Sequence, residues 1–76
     1  MIKITLSKEP ITLGQFLKFS GVVSTGGEVK IFLENNVVLV NKNVEKRRGK
    51  QLFKGDLVEI QAKKYLLVGQ NDHKEN

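Results

Sequence analysis

The chain has no cysteine and no tryptophan, and its 76 residues include one proline and one histidine. Without cysteine there is neither a disulfide framework nor a thiolate metal site, a usage that suits the cytosol. The single histidine, His73, sits seven residues downstream of Leu66 in a polar tail, so no histidine pair or triad is available for metal binding or proton transfer. The apolar runs are far too short to span a membrane, and Met1 is followed by a strand-like pattern rather than a hydrophobic signal core. A glycine pattern for phosphate or dinucleotide binding is missing too: "STGG" has neither the spacing nor the Gly-Lys-Ser ending. The acids Glu28, Glu34, Asp56 and Glu59 fit caps, strand surfaces and turns. The expectation is a protein without catalytic residues, cofactor or metal, acting as a cytoplasmic monomer.

What the chain has is positive charge, and that charge is concentrated. The formal net charge is +5 and the pI about 9.7. Between Lys42 and Lys54 lie Lys42, Lys46, Arg47, Arg48, Lys50 and Lys54 against one acid, Glu45, so this stretch alone carries the whole excess. A one-signed cluster on a short span between strands is the electrostatic footprint of a nucleic-acid binder. Arg47 and Arg48 stand out, because guanidinium grips phosphate oxygens in a two-pronged fashion and stacks on bases.

At 39% hydrophobic and 28% charged residues, the composition is that of one small globular domain, which buries roughly 60 to 65% of its unfolded surface. "IKITL" (2–6) alternates as a half-buried strand that Pro10 ends. Thr12-x-x-Gln15 opens a short helix with Leu13, Phe16 and Leu17 on one face and Gly21 at its end, and Thr25-x-x-Glu28 opens a second with Val29, Phe32 and Leu33. Asn35 or Asn36 is expected to close the second helix in the left-handed conformation. The period then changes to two: a "VVLV" strand, an "NKN" turn, a return strand from "VEK", the basic "RRGKQ", then "LF", a "KGD" turn, "LVEIQA", a "KK" turn and "YLLVG". The order argues for an α+β domain over residues 1–69, with two short helices packed on a small, mostly antiparallel sheet, and a mobile tail at 70–76. The four phenylalanines are expected to pack in the core, with Phe19 the first to be released to the surface.

From Thr12 to Ile60, about two thirds of the chain, the elements "LGQFLKFSG", "VS", "EVKIFLENN", "VLVNK" and "KGDLVEI" follow in the order of the RNA-binding domain named after small-subunit ribosomal protein S-four. In that family, also called the alpha-L motif, a strand ending in Val-Asn precedes a turn, and a later Gly-Asp turn precedes an aliphatic strand. Asn41, Gly55 and Asp56 stand at those places here. The chain most resembles the small stand-alone YaaA-type bacterial members. It departs from the pattern at Ser24-Thr25, where many members have Ser-Arg, and at Lys42, where glycine is common.

The resemblance implies binding to structured RNA, ribosomal or transfer RNA, in ribosome assembly or translation. The expected RNA-facing residues are Lys18, Ser24, Thr25, Gly26, Gly27, Lys30, Lys42, Lys46, Arg47, Arg48 and Lys50. Thr25 caps its helix as well, and Gly26 and Gly27 would let an RNA backbone approach the free N–H groups there. Lys18 joins the set if the fold lines it up with Arg47; otherwise it is a surface lysine. The alternative is a protein adaptor whose basic loop meets an acidic protein surface.

Overall fold

The computed structural model describes residues 1–69. The tail at 70–76 and His73, to which mobility was assigned above, lie outside the described residues. Among the described residues, seven strands and two helices follow in the order β1 (Ile2–Leu6), β2 (Ile11–Thr12), α1 (Leu13–Phe19), α2 (Gly26–Asn35), β3 (Val38–Val40), β4 (Asn43–Val44), β5 (Gln51–Leu52), β6 (Leu57–Ile60) and β7 (Lys63–Gly69). The main sheet runs β1-β7-β6-β3-β4, and β2 and β5 form a separate two-stranded ladder. The main sheet is antiparallel except where β1 lies parallel to β7, with Ile2 opposite Tyr65 and Leu6 opposite Gly69. The architecture is α+β, with the helices on one side of the sheet.

The core lies between that face and the helices. Alternation along the strands turns Val38, Val40, Val58, Ile60, Tyr65 and Leu67 inward, where they meet Leu13, Phe16 and Leu17 of α1 and Val29 and Leu33 of α2. Phe16 is fully buried and packs edge-on against Tyr65, with ring centroids 5.5 Å apart. Each such large apolar side chain contributes roughly 1.5 to 3 kcal/mol when fully buried. Among the four phenylalanines only Phe16 is wholly internal. Phe32 is half-buried, while Phe19 and Phe53 are exposed, so the expectation that all four pack in the core fails for these two. A sheet of short strands covered on one side by two short helices has no interior volume left for them.

Both helix starts form where the capping residues stand. The Thr12 hydroxyl accepts from the Gln15 N–H at 3.1 Å and the Gln15 side chain accepts from the Thr12 N–H at 2.8 Å, the two halves of a capping box. At α2 the Glu28 carboxylate accepts from the N–H groups of Ser24 at 2.7 Å and Thr25 at 3.3 Å. The Thr25 hydroxyl faces this turn without making a cap bond of full geometry. After α1, Gly21 at φ 84° closes the helix while the N–H of Gly21 donates to Lys18 O and that of Val22 to Leu17 O, a Schellman pattern.

Three local expectations are corrected. Asn36 does not take the left-handed conformation: it is extended at φ −136°, and Asn35 is helical. Their side-chain amides instead donate to the carbonyls four residues back, Ile31 O at 2.9 Å and Phe32 O at 3.1 Å, which satisfies the helix end without a chain reversal. The return strand begun at "VEK" is only Asn43–Val44, because after the Glu45 N–H bonds Val38 O the chain leaves the sheet. The final hairpin turns at Gln61 (φ 50°) and Ala62 (φ 69°), not at Lys63-Lys64. Ile60 pairs with Lys63 and Glu59 with Lys64, so the register that points Ile60 and Tyr65 inward places both lysines in β7. Ile11 and the capping residue Thr12 also pair with Leu52 and Gln51.

Candidate nucleic-acid interface

The basic loop between β4 and β5 is pinned to the start of α1. The N–H groups of Leu13 and Gly14 have no partner within their own helix, and they donate to Lys50 O at 2.8 Å and Arg48 O at 2.9 Å. The β2–β5 ladder continues the attachment. The loop packs closely here: a Cβ on Gly14 would stand at ordinary contact distance, 3.4 Å from the Arg48 carbonyl oxygen and 3.5 Å from its Cβ.

Within the loop, Glu45 is the organising anion, missed from the sequence. Its Oε2 accepts from the Arg47 backbone N–H at 3.0 Å and from Nε at 2.8 Å, and its Oε1 accepts from Nη2 at 3.1 Å. Hydrogen bonds from the Arg47 side chain and backbone, with the charges of Arg47 and Lys50, lower the Glu45 carboxyl to about 2, against the smaller opposing effect of burial. Glu45 therefore stays ionised, and the Arg47 fork is occupied although its side chain is largely exposed. A Glu-x-Arg spacing is the signal that would have found this pair.

The other expected contacts divide by geometry. Arg48 lines two neighbouring depressions. One is formed with Lys18, Gly26, Gln15 and Gly49, the other with Lys30, Lys46 and Glu34. Lys18 aligns with Arg48 rather than with Arg47, and its ammonium lies 3.9 Å from where a Gly26 Cβ would stand, at the positive end of α2. Lys46 is partly committed, since its Nζ donates to Leu33 O at 3.1 Å near the carboxyl end of α2, where a cation is favoured. Lys50 is half-buried and contributes mainly through its backbone. Among the described residues, Lys18, Lys30 and Arg48 have no side-chain hydrogen bond or ion pair.

Lys42 is drawn elsewhere. Val58 and Ile60 point into the core, so Glu59 between them points to the far side of the sheet, and the Lys42 ammonium lies 3.3 Å from its buried Oε1. Ser24, Thr25 and Gly27 are exposed at the start of α2, but the Ser24 and Thr25 N–H groups are already taken by Glu28. The turn residues hold the frame: Asn41 Nδ2 donates to Asp56 at 3.1 Å, the Leu57 N–H donates to Asn41 Oδ1 at 3.0 Å, and Asp56 accepts from the Phe53 N–H at 2.8 Å. With Asn41 at φ 53° and Lys42 at φ 73°, the "NK" pair makes a tight β3–β4 hairpin turn. Lys54, next to Gly55, is tied through its backbone N–H to Glu9 Oε1 at 2.8 Å.

This pairing of Asn41 with the Gly55-Asp56 turn, with two capped helices alongside a pinned basic loop, agrees with the comparison to known families, in which residues 4–68 match the S4 domain. The chain belongs to the S4 domain family. The match includes both helices, the basic loop and all but the ends of the main sheet. The chain is also 50% identical over 59 residues to the probable ribosome maturation protein RlbA of Bacillus subtilis (strain 168), an alignment covering 78% of this chain and 83% of that protein. Within the S4 frame, the departure at Ser24-Thr25 leaves the junction without arginine. The nearest cations that face the start of α2 come instead from Lys18 and, across the cleft, Arg48. No helix among the described residues is long and apolar enough to cross a membrane.

Proposed function

We propose that this S4 domain protein is a non-catalytic RNA-binding module that docks on structured ribosomal RNA during ribosome maturation. The observation that carries the reading is the arrangement of Lys18, Lys30 and Arg48, three cations without partners among the described residues, around one ridge made by α1, α2 and the pinned loop. Phosphates would satisfy them, and rigid attachment of the loop to α1 means that little ordering remains to be done on binding. The similarity to a ribosome maturation protein directs the choice toward ribosomal RNA. Shape and phosphate contacts carry the recognition, because side chains cannot read the deep groove of A-form RNA.

The geometry ranks Arg48 above Arg47, whose fork is already held by Glu45. The test is the salt dependence of binding to ribosomal RNA fragments. With about four phosphates neutralised, affinity should fall about a hundredfold between roughly 50 and 200 mM salt. Arg48→Ala should make that slope shallower by roughly one, and Arg47→Ala should change it less. A complex indifferent to salt, or one that survives nuclease treatment because a protein holds it, would overturn the reading.

A further inference from the structure

On the other flank of α1 from the basic cleft lies a second depression, a groove of about 250 Å³ lined by Leu6, Ile11 and Phe19 together with Thr5, Ser7 and Gln15. Phe19 is 66% exposed at the end of α1. We infer that this groove receives one unstacked nucleobase of the bound RNA, seated against Phe19. The inference rests on the RNA-binding reading above and assigns a base site to it.

Continuity with the cation cleft is the first support. Gln15, Lys18 and Phe19 stand at i, i+3 and i+4 and so share the exposed face of α1. Gln15 lines both depressions, with Lys18 and Arg48 on one side and Phe19 on the other. A strand whose phosphates meet Lys18 and Arg48 therefore runs within reach of Phe19. RNA is read at such places by splaying a base out of its stack onto an aromatic ring.

The lining is the second support. Leu6, Ile11 and Phe19 offer apolar contact to the faces of a base. The Gln15 Oε1 is committed to the Thr12 N–H at 2.8 Å, which fixes the side chain and leaves its Nε2 donor free. The Thr5 and Ser7 hydroxyls likewise have no partner among the described residues and can donate or accept at a base edge. The groove is smaller than the roughly 300 Å³ at which sites for drug-sized ligands begin, a size that suits one base.

The experiment uses the full chain and a short RNA hairpin with 2-aminopurine in its loop, whose fluorescence falls when the base stacks. Wild type should quench it. Phe19→Ala, at an exposed site that leaves the fold intact, should abolish the quenching and weaken binding about tenfold, with the salt slope unchanged. Phe19→Tyr should retain both properties. If Phe19→Ala binds and quenches like wild type while Arg48→Ala still flattens the salt slope, the base site is wrong and the RNA reading stands. If wild-type binding does not depend on salt, the RNA reading fails and takes the base site with it.

Discussion

Replacing Glu45 with glutamine tests the loop at its centre. The change keeps an oxygen that can accept from the Arg47 N–H but removes the charge that holds Nε and Nη2. Arg47 is open to solvent, which limits the pair to the range of an exposed salt bridge, so the expected loss at neutral pH is about 1 kcal/mol. For a domain of this size that is a fall in Tm of roughly 4 to 8 °C. The pH dependence follows from the depressed carboxyl. Its folded value of about 2 lies below the ordinary 4.5, so the folded state binds the proton less readily than the unfolded one. The stabilisation is complete above about 4.5 and is lost as pH falls through the folded value. Urea denaturation of wild type and Glu45→Gln from pH 7 down to pH 2 should show the gap closing over that window. A gap that stays constant between pH 5 and pH 2, or no gap at neutral pH, would refute the assignment of Glu45 as the charge that organises the loop.

Two further substitutions probe the frame on which the site is built. Asn41→Ala removes the hydrogen bonds to Asp56 and Leu57 and leaves a non-glycine residue at φ 53°. It should cost about 2 kcal/mol in urea denaturation, and Asn41→Gly should recover the conformational part. Phe16→Ala empties a fully buried position against Tyr65. It should cost about 3 to 5 kcal/mol, a large fraction of the margin of a small domain, and be seen as a broad loss of cooperative unfolding.

Much of the fold is legible locally. Thr12 with Gln15 and Gly21 after Phe19 mark the bounds of α1 because capping depends on neighbours within four residues. The two-residue alternation of "VLV" and "LVEI" shows which side chains are core, since a strand presents its faces in turn. The misplaced final turn has a different origin. Gln61 and Ala62 are poor residues for positive φ, and they adopt it because the partners of Ile60 and Tyr65 set the register. Asn36 misleads for the complementary reason: its side chain reaches Phe32 O and removes the need for the backbone conformation its type permits.

For the site, the sequence by itself determined that the positive excess is confined to residues 42–54, that two capped helices precede it, and that Asn41 and Asp56 stand at turns. These are properties of composition and short-range chemistry. Only the tertiary structure decided which cations face one another. Lys42 is withdrawn to Glu59 on the far side of the sheet, Lys46 to the end of α2 and Arg47 to Glu45, while Arg48 is brought beside Lys18 and Lys30 from separate helices. Charge can be counted along the chain. Whether a charge is left unpaired depends on groups distant in sequence, as Lys42 finds Glu59 and Lys46 finds Leu33 O, and on backbone bonds such as Gly14 N–H to Arg48 O, 34 positions apart, that set where the loop lies.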